Sequence, residues 1–137
     1  MMRHLAEQAG ASHLVECDSA GTIDLHTGNP PDERMRQTAQ GRGIAIDGAA
    51  RQIEIADLER FDLILTMDGD NRAYVDRLVA RSGGGRAELR DFCELCREHD
   101  FDEVPDPYYG GQAGFDRVMD LLEDGCAALL EEIRGLR

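Results

Sequence analysis

Phe61-Asp62-Leu63-Ile64-Leu65-Thr66-Met67 is the most strand-like stretch of the chain. Its Leu63-Ile64-Leu65 centre is apolar without alternation, the pattern of a strand covered on both faces, as in a parallel sheet. Working outward, Asp57 to Arg60 reads as a short helical turn before it. Asp68 to Arg81 follows as an amphipathic helix broken by Ser82-Gly83-Gly84-Gly85. Ala87-Glu88-Leu89-Arg90-Asp91-Phe92 is a weaker strand. Helix and strand therefore alternate, which predicts an α/β layer architecture.

Toward the N-terminus, Asp32 to Arg42 is helical and stops at Gly43. The stretch from Thr22 to Pro31 is irregular, rich in Gly, Asn and Pro. His13-Leu14-Val15-Glu16-Cys17 is predicted as a short strand running into the loop Asp18-Ser19-Ala20-Gly21-Thr22. Met1 to Ala9 reads as the end of a helix stopped by Gly10. Toward the C-terminus, a loop from Val104 to Gly111 leads into a long helix. Phe115, Val118, Leu122, Cys126, Leu129, Ile133 and Leu136 recur along it at steps of three and four. The Asp and Glu residues on its other face are read as solvated surface.

With 137 residues, 42% hydrophobic and 31% charged, the chain is one domain (1–137) of globular composition. No run reaches the ~18 apolar residues of a membrane helix, and the first residues lack a secretory signal, so a cytoplasmic location and no membrane partner are expected. Net charge is −13, from 28 acidic and 15 basic residues, every basic one arginine; without a basic stripe no nucleic-acid partner is expected. The four cysteines are Cys17, Cys93, Cys96 and Cys126. Cys93-x-x-Cys96 has neither a second pair nor a His set at zinc spacing, and it does not open a helix after an early strand as a redox motif would. No metal and no cofactor are expected.

Asp106-Pro107-Tyr108-Tyr109-Gly110-Gly111 taken alone is a turn: prolines around an Asp, two aromatics, two glycines. It sits just before the last helix. Asp18-Ser19-Ala20-Gly21-Thr22, Gly28-Asn29-Pro30-Pro31-Asp32, Ala50-Arg51-Gln52 and Met67-Asp68 with Asn71 precede it in order. This series resembles the low-molecular-weight protein tyrosine phosphatases, which carry D-S-A-G-T, G-x-x-P-D, A-R-Q and D-P-Y-Y-G with this spacing. The resemblance implies a three-layer α/β fold with a four-stranded parallel sheet flanked by helices. It implies a phosphotyrosine protein or aryl phosphate as substrate and Asp106 as the general acid that protonates the leaving phenolate. Tyr108 and Tyr109 would form one aromatic wall of the substrate cleft. Leu25 and His26 stand where many bacterial relatives have Trp-His, so the facing wall has less stacking area. Ser19 would support the phosphate-binding loop. Many relatives have a His at the position of Gly48 in the same network. Arg51 is read as structural.

The family's reaction needs C-x-x-x-x-x-R-S/T, with Cys as nucleophile and Arg and loop amides cradling the phosphoryl group. These 137 residues do not contain it. The sixth residue after Cys17 is Ile23, after Cys93 it is His99 and after Cys96 it is Asp102, while Cys126 lies within a helix. Met2-Arg3-His4-Leu5 resembles the middle of the family's first helix. The chain is therefore expected to begin downstream of the family's first strand and loop, as a trimmed chain or one started at an internal methionine, rather than to be a pseudophosphatase. Lacking that interior strand, it is expected to be inactive and poorly stable by itself. Two alternatives share the fold: an arsenate reductase using Cys93-x-x-Cys96, and a non-catalytic phosphatase-like binding module. Oligomeric state is not encoded in any of these features.

Overall fold

The computed structural model describes residues 1–22, 28, 32–46, 51–106 and 111–135. Their elements are α1 (Met2–Gln8), α2 (Glu33–Gly41), α3 (Asp57–Arg60), β1 (Leu63–Thr66), α4 (Gly69–Ser82), β2 (Glu88–Asp91) and α5 (Gly111–Gly135). Two 3₁₀ turns join them, Ser12–Leu14 and Phe92–Leu95.

The helix ends follow from local chemistry. The Asp32 carboxylate accepts from the Met35 amide at 3.1 Å, which caps α2. Asp68 caps α4 by accepting from Asn71 N–H at 2.7 Å, and Asn71 Oδ1 accepts in return from Met67 N–H at 3.3 Å. The two bonds fasten the chain on both sides of the N-cap, so Met67-Asp68 with Asn71 is a helix-starting device. Gly83 closes α4 in the left-handed conformation at φ 80°, where a side chain would be strained.

β1 and β2 are parallel, with Leu63 opposite Glu88 and Thr66 opposite Asp91. The period of two sends alternate residues to opposite layers. Leu63 and Leu65 pack against Phe92, Leu95, Cys126 and Leu129, beneath α1 and α5. Ile64 and Leu89 pack against Leu58, Val75 and Leu78 of α3 and α4. Helices thus cover both faces, as the unalternating Leu-Ile-Leu run predicted. Among the described residues the ladder has these two strands, together with one parallel bridge between Gly21 and Gln52.

Two expectations are corrected. Residues 13–17 do not form a strand. Leu14 N–H donates to Ala11 O and Val15 N–H to Ser12 O, which winds the first half into a 3₁₀ turn. The chain extends only from Val15, and the Cys17 carbonyl is taken by the Arg3 guanidinium instead of by a neighbouring strand. Second, the acidic face of α5 is not simply solvated. Arg42 reaches Asp116, Asp120 and Glu123, tying α2 to α5, and Arg90 reaches Glu132. The Asp124 side chain is only 5% exposed.

The apolar stripe of α5 is also wider than its period suggested, since Met119, Leu121 and Leu130 are buried beside Phe115, Val118 and Leu129. The helix approaches the Phe92 turn so closely that a Cβ on Gly125 would lie 2.4 Å from Phe92 Cζ. Phe92 is itself fully enclosed, so its ring has nowhere to go. Gly125→Ala is expected to destabilise the fold by roughly 1–3 kcal/mol through overpacking. Urea denaturation should show it as a lowered midpoint with an unchanged slope. No helix among the described residues is long and apolar enough to cross a membrane.

Candidate active site

In an open parallel sheet, ligands bind beyond the carboxyl ends of the strands. Here that edge begins at Thr66, buried at the end of β1, whose hydroxyl donates to Asp91 Oδ1 at 2.7 Å. Arg72 of α4 donates to the same oxygen at 3.2 Å. The Thr66 hydroxyl first, joined by Arg72, holds Asp91 below the usual carboxylate range against the opposing effect of burial.

The segment carrying Asp106 hangs on this edge. Val104 N–H donates to Met67 O at 2.7 Å, and the Glu103 carboxylate accepts from Gly69 N–H at the start of α4. Asp106 follows two residues later and is exposed. Tyr108 and Tyr109 lie outside the described residues, as do Leu25, His26 and Gly48.

The Asp18–Thr22 loop is fastened separately. Gly21 N–H donates to Arg51 O at 2.8 Å and Ile53 N–H to Gly21 O at 2.8 Å. The Gln52 amide donates to Thr22 O and to the Tyr74 hydroxyl, at 3.2 and 3.1 Å. Ser19 is exposed, and its N–H bonds to Asp18 Oδ1 at 2.8 Å. Arg51 forks onto Asp57 through two bonds of 3.0 and 3.1 Å, and reaches Asp18 at 3.1 Å. With two carboxylates already on it, this guanidinium holds the loop base and has no unmet charge for a phosphate. A cavity of about 470 Å³ beside it is lined by Asp18, Arg51, Glu54, Asp57 and Arg60, without Asp106 or Ser19. Ser19 and Asp106 thus belong to two separately anchored loops.

Asp57, Asp91 and Asp124 are partners that the sequence reading missed. Burial alone would raise the Asp57 pKa, but Arg51 and the Glu54 N–H, which donates at 2.7 Å, bring it below the ordinary value. A depressed carboxylate stabilises the fold above its unfolded pKa, and that contribution disappears as pH falls through the lower folded value. Acid unfolding is therefore expected to set in below about pH 4. Arg51→Met, which leaves Asp57 buried without its guanidinium partner, should cost roughly 2–4 kcal/mol and shift acid unfolding to higher pH. Thermal melts between pH 3 and 7 check both.

None of the thiols has a nucleophile's environment. Burial pushes Cys96 and Cys126 up to about 11, and raises Cys93 and Cys17 as well. A catalytic thiolate needs the opposite shift. Among the described residues no group of His, Cys, Asp and Glu is arranged to hold a metal ion.

The family model for low molecular weight phosphotyrosine protein phosphatase matches residues 1–136. The chain belongs to this family. A Synechocystis protein bearing the family's name is 43% identical over 135 residues, covering 97% of this chain and 84% of its own length. The low molecular weight protein-tyrosine-phosphatase YfkJ of Bacillus subtilis is 35% identical over 136 residues, 98% of this chain and 84% of its own. The YfkJ crystal structure superposes with a TM-score of 0.87 over 99% of this chain and 84% of that one, at 33% identity. A product-state mimic of the Entamoeba histolytica protein tyrosine phosphatase gives 0.88, with 98% and 83% covered at 33% identity. The fold is that of the low-molecular-weight phosphatases, and by family the chain's enzyme class is protein-tyrosine-phosphatase.

Proposed function

We propose that Asp106 is the general acid of a phosphotyrosine hydrolysis that runs through a cysteinyl-phosphate. The placement of its segment supports this: Val104 and Glu103 fix it at the carboxyl end of β1, where this sheet type receives ligands. The attacking group is the cysteine of the family's C-x-x-x-x-x-R-S/T loop, which the 137 residues do not contain. In the first step that thiolate bonds to phosphorus as the P–O bond to the tyrosine breaks, and Asp106 gives its proton to the departing oxygen. In the second, the Asp106 carboxylate takes a proton from water as the water attacks phosphorus and the thiolate leaves. Tyr108 and Tyr109 on one side and Leu25 and His26 on the other would flank the substrate ring, and Ser19 would brace the phosphate loop.

An arsenate reductase would need reactive redox cysteines, whereas Cys93 is buried and Cys96 is pushed up to about 11. The test is a fusion of this chain, at Met1, to a family strand and C-x-x-x-x-x-R-S loop. It should hydrolyse phosphotyrosine peptides without added metal, with arsenate-dependent oxidation of thioredoxin absent. A fusion that folds, binds phosphate and hydrolyses no aryl phosphate sinks the proposal.

A further inference from the structure

Asp124, on the face of α5 turned toward residues 97–99, is surrounded by donors. Its Oδ1 accepts from Arg97 N–H at 2.9 Å, and its Oδ2 accepts from Glu98 and His99 N–H, both at 3.0 Å. The His99 imidazole Nδ1 lies 2.8 Å from the same Oδ2. Three successive amides turned on one oxyanion form a nest, and here the anion is built into the fold. The strap that starts at this nest continues to the proposed acid. Arg117 of α5 stacks over Phe101, Glu103 and Val104 then fasten to the start of α4 and the end of β1, and Asp106 comes next.

We propose that Asp124 is the positioning residue of the general-acid loop, holding Asp106 in register by anchoring the strap's upstream end. This rests on the reading of Asp106 as the acid. The two anchors are only four residues apart, from His99 to Glu103, so the strap has little slack with which to absorb a displaced end. A carboxylate suits the site because it only accepts, and each of its oxygens has room for more than one donor. Asparagine has the same size but would turn an NH₂ toward N–H groups. Small misplacements of catalytic groups carry large rate effects, on the order of 10²-fold for 1 Å.

Amide exchange of the full 137-residue chain tests the anchor. In Asp124→Asn, the amides of Arg97, Glu98 and His99 should exchange at least roughly tenfold faster, with those of Val104 and Gly69 following. Ladder amides of β1 and β2 should keep the parent rates. Faster exchange confined to 97–99, or spread evenly over the chain, overturns the proposal. His99→Ala, which removes one donor and leaves the carboxylate, should show the same pattern more weakly, and it stands in where Asp124→Asn does not fold.

The phosphate-loop fusion tests the consequence. Loss of acid positioning harms poor leaving groups most in the first step, so Asp124→Asn should lower kcat/KM for phenyl phosphate about tenfold more than for 4-nitrophenyl phosphate. Formate should restore part of the phenyl phosphate rate in Asp124→Gly. An equal loss on both substrates, or a rise in KM alone, overturns the positioning role. If the unsubstituted fusion hydrolyses neither ester, the phosphatase reading falls, and with it the positioning role, while the exchange pattern still decides whether the anchor exists.

Discussion

The 137-residue chain is expected to leave 4-nitrophenyl phosphate untouched, and the phosphate-loop fusion is expected to hydrolyse it. The difference should be the largest of any comparison on this protein. Phosphoryl transfer without a nucleophile or an anion cradle reverts toward the uncatalysed reaction, and enzymes exceed that by at least about 10⁶-fold. None of the chain's thiols is placed to substitute, because burial raises each of them, the opposite of what a thiolate nucleophile needs. Replacing the loop cysteine of the fusion by serine should return the rate to that of the unfused chain. The same fusion should melt at a higher temperature, because its added strand is an interior one in the family's sheet and supplies ladder partners. Each buried backbone group left without one costs about 1–3 kcal/mol. Measurable turnover by the unfused chain would refute the requirement for the loop.

Asp106→Asn in the fusion is the second large effect. An amide cannot deliver a proton to the leaving phenolate, and general acid catalysis contributes about 10²–10⁴-fold. The loss in the first step, read as kcat/KM, should therefore be at least about a hundredfold for phenyl phosphate and much smaller for 4-nitrophenyl phosphate, whose leaving group needs little help. A kcat/KM for phenyl phosphate left unchanged by Asp106→Asn would overturn the acid role.

Much of this was legible in the sequence because it rests on local rules. The Leu63-Ile64-Leu65 run, the helix starts at Asp32 and Asp68 and the break at Gly83 each rest on a few residues, and the structure has each of them within a residue of where the pattern placed it. Residues 13–17 misled because Leu, Val and Cys favour extended backbone, while a strand also requires a neighbour. The carbonyl that would have paired is instead held by Arg3. The carboxylates Asp57, Asp91 and Asp124 were illegible for a related reason. Apart from the Glu54 amide, their donors come from 6 to 27 residues away, and nothing local distinguishes such an Asp from a solvated one. Asp106 was singled out by the motif around it, and the anchoring of its segment through Val104 and Glu103 is a tertiary fact that no motif contains.

The contact between Gly125 and Phe92 also bears on how the family can vary. Because the missing Cβ and the ring occupy the same space, the two positions are expected to drift together through evolution. A relative with alanine or larger at 125 should carry a smaller side chain at 92, and the pair Gly125→Ala with Phe92→Leu should recover part of what the first change loses. Residue 125 adjoins Asp124, and residue 92 opens the turn that leads into the strap. Lineages that changed one partner without the other would have moved the acid loop along with the core.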